Sequence, residues 1–113
     1  MSETNNPAAA KSRAEYEEEQ RLSRDNDFRA VLQSPAGRRF IWRWLESCGL
    51  HGASFTGEAL SSAHAEGKRA VAVAVVAEAQ RVDSRAYVMM VEEAIAAQKR
   101  RADELEAIRL QHR

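Results

Sequence analysis

The spacing of hydrophobic residues predicts a short helix over residues 35–48. Apolar side chains recur there every three or four positions, as on one face of an amphipathic helix. Ser34 is a suitable N-cap, and Pro35 suits the first helical position because it has no N–H to leave unpaired. Gly49 follows, and glycine commonly ends a helix in a left-handed conformation. We expect Phe40, Trp44 and Leu45 to be buried, and Trp42 to be more exposed than Trp44 because it lies on the other side of the helix.

The segment 58–82 fits two patterns. Val71, Val73 and Val75 alternate with alanine, which is typical of a buried strand, whereas the high alanine content favours a helix. We predict a helix, and because 70–77 is apolar on all sides we expect it to be the central and most buried one. Its predicted inward stripe comprises Leu60, Ala63, Gly67, Val71, Ala74 and Val75.

The ends of this helix are predicted from turn and capping residues. Thr56 is a candidate N-cap, and Phe55 and Leu60 have the spacing of a hydrophobic staple across it. Gly67 either allows close approach of a neighbouring helix or marks a break. Asp83 is the predicted cap of a last helix, whose core face carries Tyr87, Val88, Val91, Ala94 and Ile95.

Both ends of the chain are rich in charge and poor in large apolar side chains. Residues 1–24 form a predicted polar arm, and residues 96–113 a charged helical extension. Helices of this kind are marginal alone in water, so we expect the arms to order fully only against another protein. The fold class predicted is all-α: a small bundle of three to four helices over residues 25–95, with polar helical extensions at both termini.

Composition narrows the function classes. Seventeen Lys and Arg balance seventeen Asp and Glu, so the chain as a whole has no field that attracts nucleic acid or anionic membrane. A single cysteine excludes an intrachain disulfide and fits a reducing compartment. No apolar run reaches the roughly eighteen residues of a membrane-spanning helix.

Candidate catalytic or metal-binding chemistry is sparse. Cys48 and His51 have a spacing that two metal ligands use, yet a structural zinc site needs four ligands and no second pair completes it. A Cys–His nucleophile pair would also need a third orienting group and a donor pocket, and the sequence shows neither. No phosphate-binding glycine loop is present. We therefore predict no enzyme activity, no metal and no cofactor.

The run Arg38-Arg39-Phe40-Ile41-Trp42-Arg43-Trp44 is the most distinctive local motif. Arginine binds phosphate and tryptophan stacks on unpaired bases, which suggests a small nucleic-acid-binding factor. The alternative is a set of core aromatics behind a basic rim, with Trp42 as an interface anchor.

A longer series of motifs resembles a known family. It comprises Asp27-Phe28-Arg29-Ala30-Val31-Leu32, Ser34-Pro35-Ala36-Gly37-Arg38-Arg39, Trp42-Arg43-Trp44-Leu45-Glu46, Cys48-Gly49-Leu50, Ser54-Phe55-Thr56-Gly57, Ala59-Leu60, Glu66-Gly67-Lys68-Arg69 and Ala86-Tyr87. Over about residues 25–95 the chain is similar to small tailed-bacteriophage proteins named from a Bordetella phage and encoded near the portal and major capsid proteins.

The resemblance implies a non-enzymatic virion or virion-assembly component, located in the virion and, during assembly, in the host cytoplasm. Its partners would be capsid, portal or tail proteins, an internal head component, or a second copy of the chain. Nucleic acid is the alternative partner. Six residues are the predicted partner contacts: Arg38, Arg39, Trp42, Arg43, Leu105 and Ile108.

Overall fold

A computed structural model of the chain describes residues 11–52 and 57–112. Within these ranges the chain forms four helices and no strand: α1 (Arg13–Gln33), α2 (Pro35–Ser47), α3 (Ala59–Val82) and α4 (Ala86–Gln111). Helices account for 86% of the described residues, which confirms the all-α prediction and the helical reading of the valine-rich segment. None of these helices is long and apolar enough to cross a membrane.

α1 and α4 are continuous through the boundaries predicted at residues 24 and 95. The first half of α1 is exposed, and only its second half packs on other helices, through Phe28 and Leu32. α4 likewise begins in the core at Ala86 and ends in an exposed segment.

The corner between α1 and α2 is made by one residue. Ser34 is the C-cap of α1 and the predicted N-cap of α2, and its Oγ accepts a hydrogen bond from the Gly37 N–H at 3.1 Å. The helices approach so closely here that a Cβ built on Gly37 would lie 2.2 Å from the Val31 carbonyl oxygen. At the other end of α2, Gly49 has the left-handed conformation predicted for it, with φ of +77°.

The core is small and has two parts that share a common edge. One contains Leu32, Ala79, Val82, Ala86 and Met90, and the other contains Leu45, Leu50 and Ala72. Ile41, Trp42 and Tyr87 pack against both parts. The molecule is elongated, 83 × 38 × 21 Å, with a radius of gyration of 21.7 Å. The chain length alone predicts a radius of gyration of about 13 Å for a compact fold. The observed radius is larger because the exposed parts of α1 and α4 extend beyond the core.

The predicted core face of α2 is wrong in part. Leu45 is buried as expected, but Phe40 and Trp44 are 54% and 60% exposed, whereas Trp42 is partly buried against both parts of the core. The cause is Arg38, which is buried on the same side as Trp42 and Leu45. With Arg38 buried on this side of α2, Phe40 and Trp44 on the other side face the solvent.

α3 does not occupy the centre of the bundle. Val71 is 60% and Leu60 77% exposed, so the predicted inward stripe faces largely outward. The buried positions are instead small residues and the helix end: Ala72, Ala79 and Val82. Small side chains let the helix lie close to its neighbours, and an alternating Val/Ala sequence offers the same hydrophobicity to every side.

Predicted features at the ends of α3 also change. Its N-cap is Glu58, whose carboxylate accepts hydrogen bonds from the backbone N–H groups of Leu60 and Ser61. Thr56 and Phe55 lie outside the described residues. Nothing lies within 4 Å of a Cβ built on Gly67, so this glycine neither permits a close approach nor breaks the helix.

The start and inner face of α4 differ from the prediction. Asp83 is the C-cap of α3, and Arg85 occupies the N-cap position of α4 without a side-chain hydrogen bond. Tyr87 packs on the core as expected, but Val88 and Ile95 are 54% and 62% exposed. The buried residues of this helix are Ala86 and Met90.

The two helical glycines should respond oppositely to alanine. Gly37→Ala places a methyl group against the Val31 carbonyl, and we expect a loss of about 1–3 kcal/mol of unfolding free energy from overpacking. Gly67→Ala meets no neighbour and should stabilise by about 0.5–1 kcal/mol, since alanine is the better helix former. Urea unfolding of both variants measures these changes. An unchanged unfolding free energy for Gly37→Ala would contradict the close approach of Gly37 to the Val31 backbone.

The two tryptophans should differ in solvent access. In Trp42→Phe, the remaining Trp44 should be quenched strongly by acrylamide, because it is 60% exposed. In Trp44→Phe, the remaining Trp42 should be protected by its packing against Tyr87, at a ring-centroid distance of 6.3 Å. Equal quenching constants for the two variants would show that this face assignment of α2 is incorrect.

Candidate functional site

Arg38 joins three helices at the base of the candidate site. It is only 6% exposed, and its Nε and Nη2 donate to the two carboxylate oxygens of Glu93 at 2.8 and 3.0 Å. Its Nη1 donates to the Leu32 carbonyl oxygen at 2.9 Å, which satisfies an otherwise open acceptor in the last turn of α1. The guanidinium thus has partners for its donors on α1 and α4 while belonging to α2.

This pairing fixes the charge state of both groups. The two hydrogen bonds that Arg38 donates to the Glu93 carboxylate lower the pKa of Glu93 below its ordinary value, and the same hydrogen bonds raise the pKa of Arg38. Because three of its hydrogen bonds are made within the chain, Arg38 has a structural role, and its predicted partner contact stays a prediction.

A second polar cluster closes the other end of α2. The Nδ1 of His51 lies 2.9 Å from a carboxylate oxygen of Glu46, and its Nε2 lies 2.9 Å from the Tyr87 hydroxyl. An Nδ1–H that donates to the carboxylate leaves Nε2 to accept from the hydroxyl, so one neutral tautomer satisfies both contacts. Trp42 packs beside this histidine with a ring-centroid distance of 5.4 Å. The cluster ties the turn after α2 to the first turn of α4.

Between these two clusters, α2 and α4 form an open groove. Its floor is mostly apolar and includes Met90, Val91, Ala94 and Ala97, with Trp42 at one side. Five arginines line it: Arg38, Arg39 and Arg43 from α2, and Arg100 and Arg101 from α4. We call this the α2–α4 groove. The groove brings four of the six predicted partner contacts, Arg38, Arg39, Trp42 and Arg43, close to basic residues about sixty positions away in the chain.

The solvent side of α2 carries an aromatic pair that the sequence reasoning placed in the core. Phe40 and Trp44 contact each other edge to face at a ring-centroid distance of 6.4 Å. The Arg43 guanidinium lies over the Phe40 ring at 5.9 Å, within the range of a cation–π interaction. These three residues are the α2 outer face. The (i, i+4) spacing of Phe40 and Trp44 was visible in the sequence, but it is equally typical of a core stripe.

The remaining predicted contacts lie apart from the groove floor. Leu105 and Ile108 are on the exposed C-terminal segment of α4, at 67% and 52% exposure. Cys48 is partly buried beside the second part of the core. In the described ranges there is no group of three His, Cys, Asp or Glu side chains arranged to hold a metal ion.

Comparison with known proteins identifies the class. The family model described as Bbp19-like phage protein matches residues 28–92, from the packed half of α1 to the first turns of α4. The match covers more than half of the chain, so this chain belongs to the Bbp19-like phage protein family. The resemblance seen in the sequence is thereby confirmed. No match was found among curated proteins or among solved structures.

Removing the Arg38–Glu93 pair should make the fold less stable at neutral pH. Arg38→Met leaves Glu93 and the Leu32 carbonyl without their donors, and we expect a loss of about 1.5–3 kcal/mol of unfolding free energy. The value stays below that of a fully buried pair because the Glu93 side chain is 39% exposed.

The same pair should appear in the pH dependence of stability. Since the pKa of Glu93 is lowered in the folded state, its contribution is present above the ordinary value of 4.5 and is lost as pH falls through the lowered folded value. Wild-type urea midpoints should therefore fall more steeply in acid than those of Glu93→Gln. Glu92→Gln, at an exposed neighbouring position, is the matched control and should follow the wild type. Identical acid profiles for all three proteins would rule out this role of the pair.

Proposed function

We propose that this phage protein is a non-enzymatic structural or assembly component of the virion that acts through protein–protein contacts. Its partner belongs to the capsid, portal, tail or internal head parts of the particle. The protein is then present in the host cytoplasm during assembly and in the finished virion. The observation that carries the proposal is the α2 outer face, Phe40, Arg43 and Trp44.

An exposed aromatic pair next to arginine has the composition of an interface hot spot. Tryptophan and arginine are enriched among residues that contribute most to protein–protein binding. More than half of the surface of Phe40 and of Trp44 is exposed to water, and Trp44 is not part of the core. Burial against a partner would remove this apolar surface from solvent.

The ionisable groups around the α2–α4 groove support a binding role over a catalytic one. Arg38 and Glu93 are paired with each other, and His51 is held between Glu46 and Tyr87. In both clusters the polar atoms connect helices of the fold. A general acid or base needs a group that is within reach of a substrate and free to exchange its proton.

Loss of the aromatic pair should reduce incorporation into particles. Phe40→Ala/Trp44→Ala removes the hot-spot side chains at exposed positions, so the variant should fold and yet be depleted from purified virions by tenfold or more, about 1.4 kcal/mol in binding. Mass spectrometry of particles, with copy number taken relative to the major capsid protein, measures this. Val71→Ala/Val73→Ala, which truncates two exposed valines of α3, is the control and should be incorporated normally.

Normal incorporation of Phe40→Ala/Trp44→Ala would remove the α2 outer face as the contact. Absence of the wild-type protein from purified particles would overturn the virion role itself.

The α2–α4 groove also favours a second candidate, a nucleic-acid-binding factor. Arg39, Arg43, Arg100 and Arg101 line one groove beside Trp42, which combines phosphate-binding side chains with a stacking surface. Retention on single-stranded DNA that weakens steeply with salt, and that Arg39→Ala/Arg43→Ala reduces, would favour this candidate. Passage without retention at low salt would exclude it.

A further inference from the structure

The α2–α4 groove is positively charged although the chain as a whole is neutral. Five arginines and two carboxylates, those of Glu46 and Glu93, line the groove, which gives it a net charge of +3 with His51 neutral. The net charge of the whole chain is zero. The groove therefore offers a local site for a negatively charged partner on a chain that has no overall attraction for one.

The two carboxylates of the groove have partners within the chain, whereas four of its arginines have none. Glu93 pairs with Arg38, and a Glu46 carboxylate oxygen lies 2.9 Å from the Nδ1 of His51. Across residues 11–52 and 57–112, no ion pair is formed by Arg39, Arg43, Arg100 or Arg101. The charged groups that remain available for a ligand in this groove are thus basic.

The floor of the groove has the spacing of a helix-packing surface. Met90, Ala94, Ala97 and Arg101 lie three or four positions apart on α4, within an arc of about 60° at about 100° per residue. Ala94 and Ala97 are small and partly exposed, so another helix can lie close to α4 at this point. From Tyr87 to Arg101 the groove follows α4 for about 21 Å, the length of about four helical turns.

The arginines lie where the charged flank of a docked helix would be. Arg39 and Arg43 are one turn apart and about 40° apart around α2, and both line the groove. Arg101 lies on the same arc of α4 as Ala97, one turn further along. Carboxylates on the flank of a docked helix that faces α2 can therefore reach two arginines, and a carboxylate near its end can reach a third.

The surroundings of the groove favour an acidic helix over nucleic acid. An aliphatic floor matches the apolar side chains of a protein and offers nothing to a phosphate. The Trp42 ring already contacts the rings of His51 and Tyr87, at centroid distances of 5.4 and 6.3 Å. Glu104 follows Arg101 by three positions and lies about 60° from it around α4, so a strand of repeated phosphates that continued past Arg101 would meet a carboxylate.

We propose that the α2–α4 groove binds an amphipathic helix of a partner protein that carries Asp or Glu beside a row of apolar side chains. The apolar row packs on Ala94 and Ala97, and the carboxylates pair with Arg39, Arg43 and Arg101. This site is distinct from the aromatic pair of the α2 outer face. The binding therefore does not rest on the proposed virion role.

A synthetic peptide tests the apolar row and the charge together. The probe is a helical peptide of about 18 residues, about 27 Å long, in which leucine recurs every three or four positions with glutamate on both flanks. Fluorescence anisotropy with the full-length protein at about 0.15 M salt should show binding of this acidic peptide and none of its lysine counterpart. Arg39→Glu/Arg101→Glu should raise the Kd of the acidic peptide by tenfold or more and should bind the lysine peptide instead.

Three further variants serve as controls and as an independent test of the floor. Arg24→Glu/Lys68→Glu makes the same charge change at exposed positions outside the groove and should leave the Kd unchanged. Phe40→Ala/Trp44→Ala should also bind normally, which separates the groove from the α2 outer face. Ala97→Phe fills the floor without a charge change and should raise the Kd by tenfold or more. Circular dichroism of each variant verifies that the helices are formed.

Four results would overturn the proposal. They are no binding of the acidic peptide to the wild type, the same loss in Arg24→Glu/Lys68→Glu as in Arg39→Glu/Arg101→Glu, an unchanged Kd for Ala97→Phe, and tighter binding of single-stranded oligothymidine than of the acidic peptide at the same salt. The last result would assign the groove to nucleic acid. None of them bears on incorporation into particles, which is measured separately.

Discussion

The arrangement of α1, α2 and α4 depends on one buried guanidinium. Arg38 reaches α1 through the Leu32 carbonyl and α4 through Glu93, and it does so from the base of α2. A charge at this depth is tolerable only because its donors have partners in place. Once Arg38 is inside, the rest of α2 follows: Trp42 and Leu45 turn inward, and Phe40, Arg43 and Trp44 are presented to solvent. The surface proposed for protein contact is therefore a by-product of a structural ion pair.

A second polar contact has a comparable role between α1 and α3. Arg81 donates to both carboxylate oxygens of Asp25 at 3.0 and 2.8 Å. These hydrogen bonds lower the pKa of Asp25 and raise that of Arg81. Ion pairs with defined geometry, such as these, fix how the helices are placed relative to one another when the apolar core is small. The arrangement of the four helices therefore depends on a few ion pairs as much as on the burial of apolar side chains.

Both ends of α2 were predictable from the sequence, whereas the caps of α3 and α4 and the buried faces of the helices were not. Ser34 acts through the hydrogen bond that its Oγ accepts from the Gly37 N–H, and Pro35 and Gly49 act through their backbone conformation. These effects are local, so they can be read from neighbouring residues. Which side of α2 is buried depends on Glu93, fifty-five positions away, and no local pattern contains that information. In α3 the alternating valines and alanines make all sides of the helix similarly hydrophobic, so hydrophobicity alone did not predict which side is buried. The basic groove residues Arg100 and Arg101 were missed as site residues because only the tertiary fold brings them beside α2.

The corner at Ser34 has a mechanical consequence. A single residue ends one helix and starts the next, and Gly37 lies against the backbone of Val31 without space for a methyl group. A corner this tight resists bending between α1 and α2, so we expect the two helices to move together. A force on the exposed half of α1 would then rotate α2 and displace the aromatic pair Phe40 and Trp44 on its outer face.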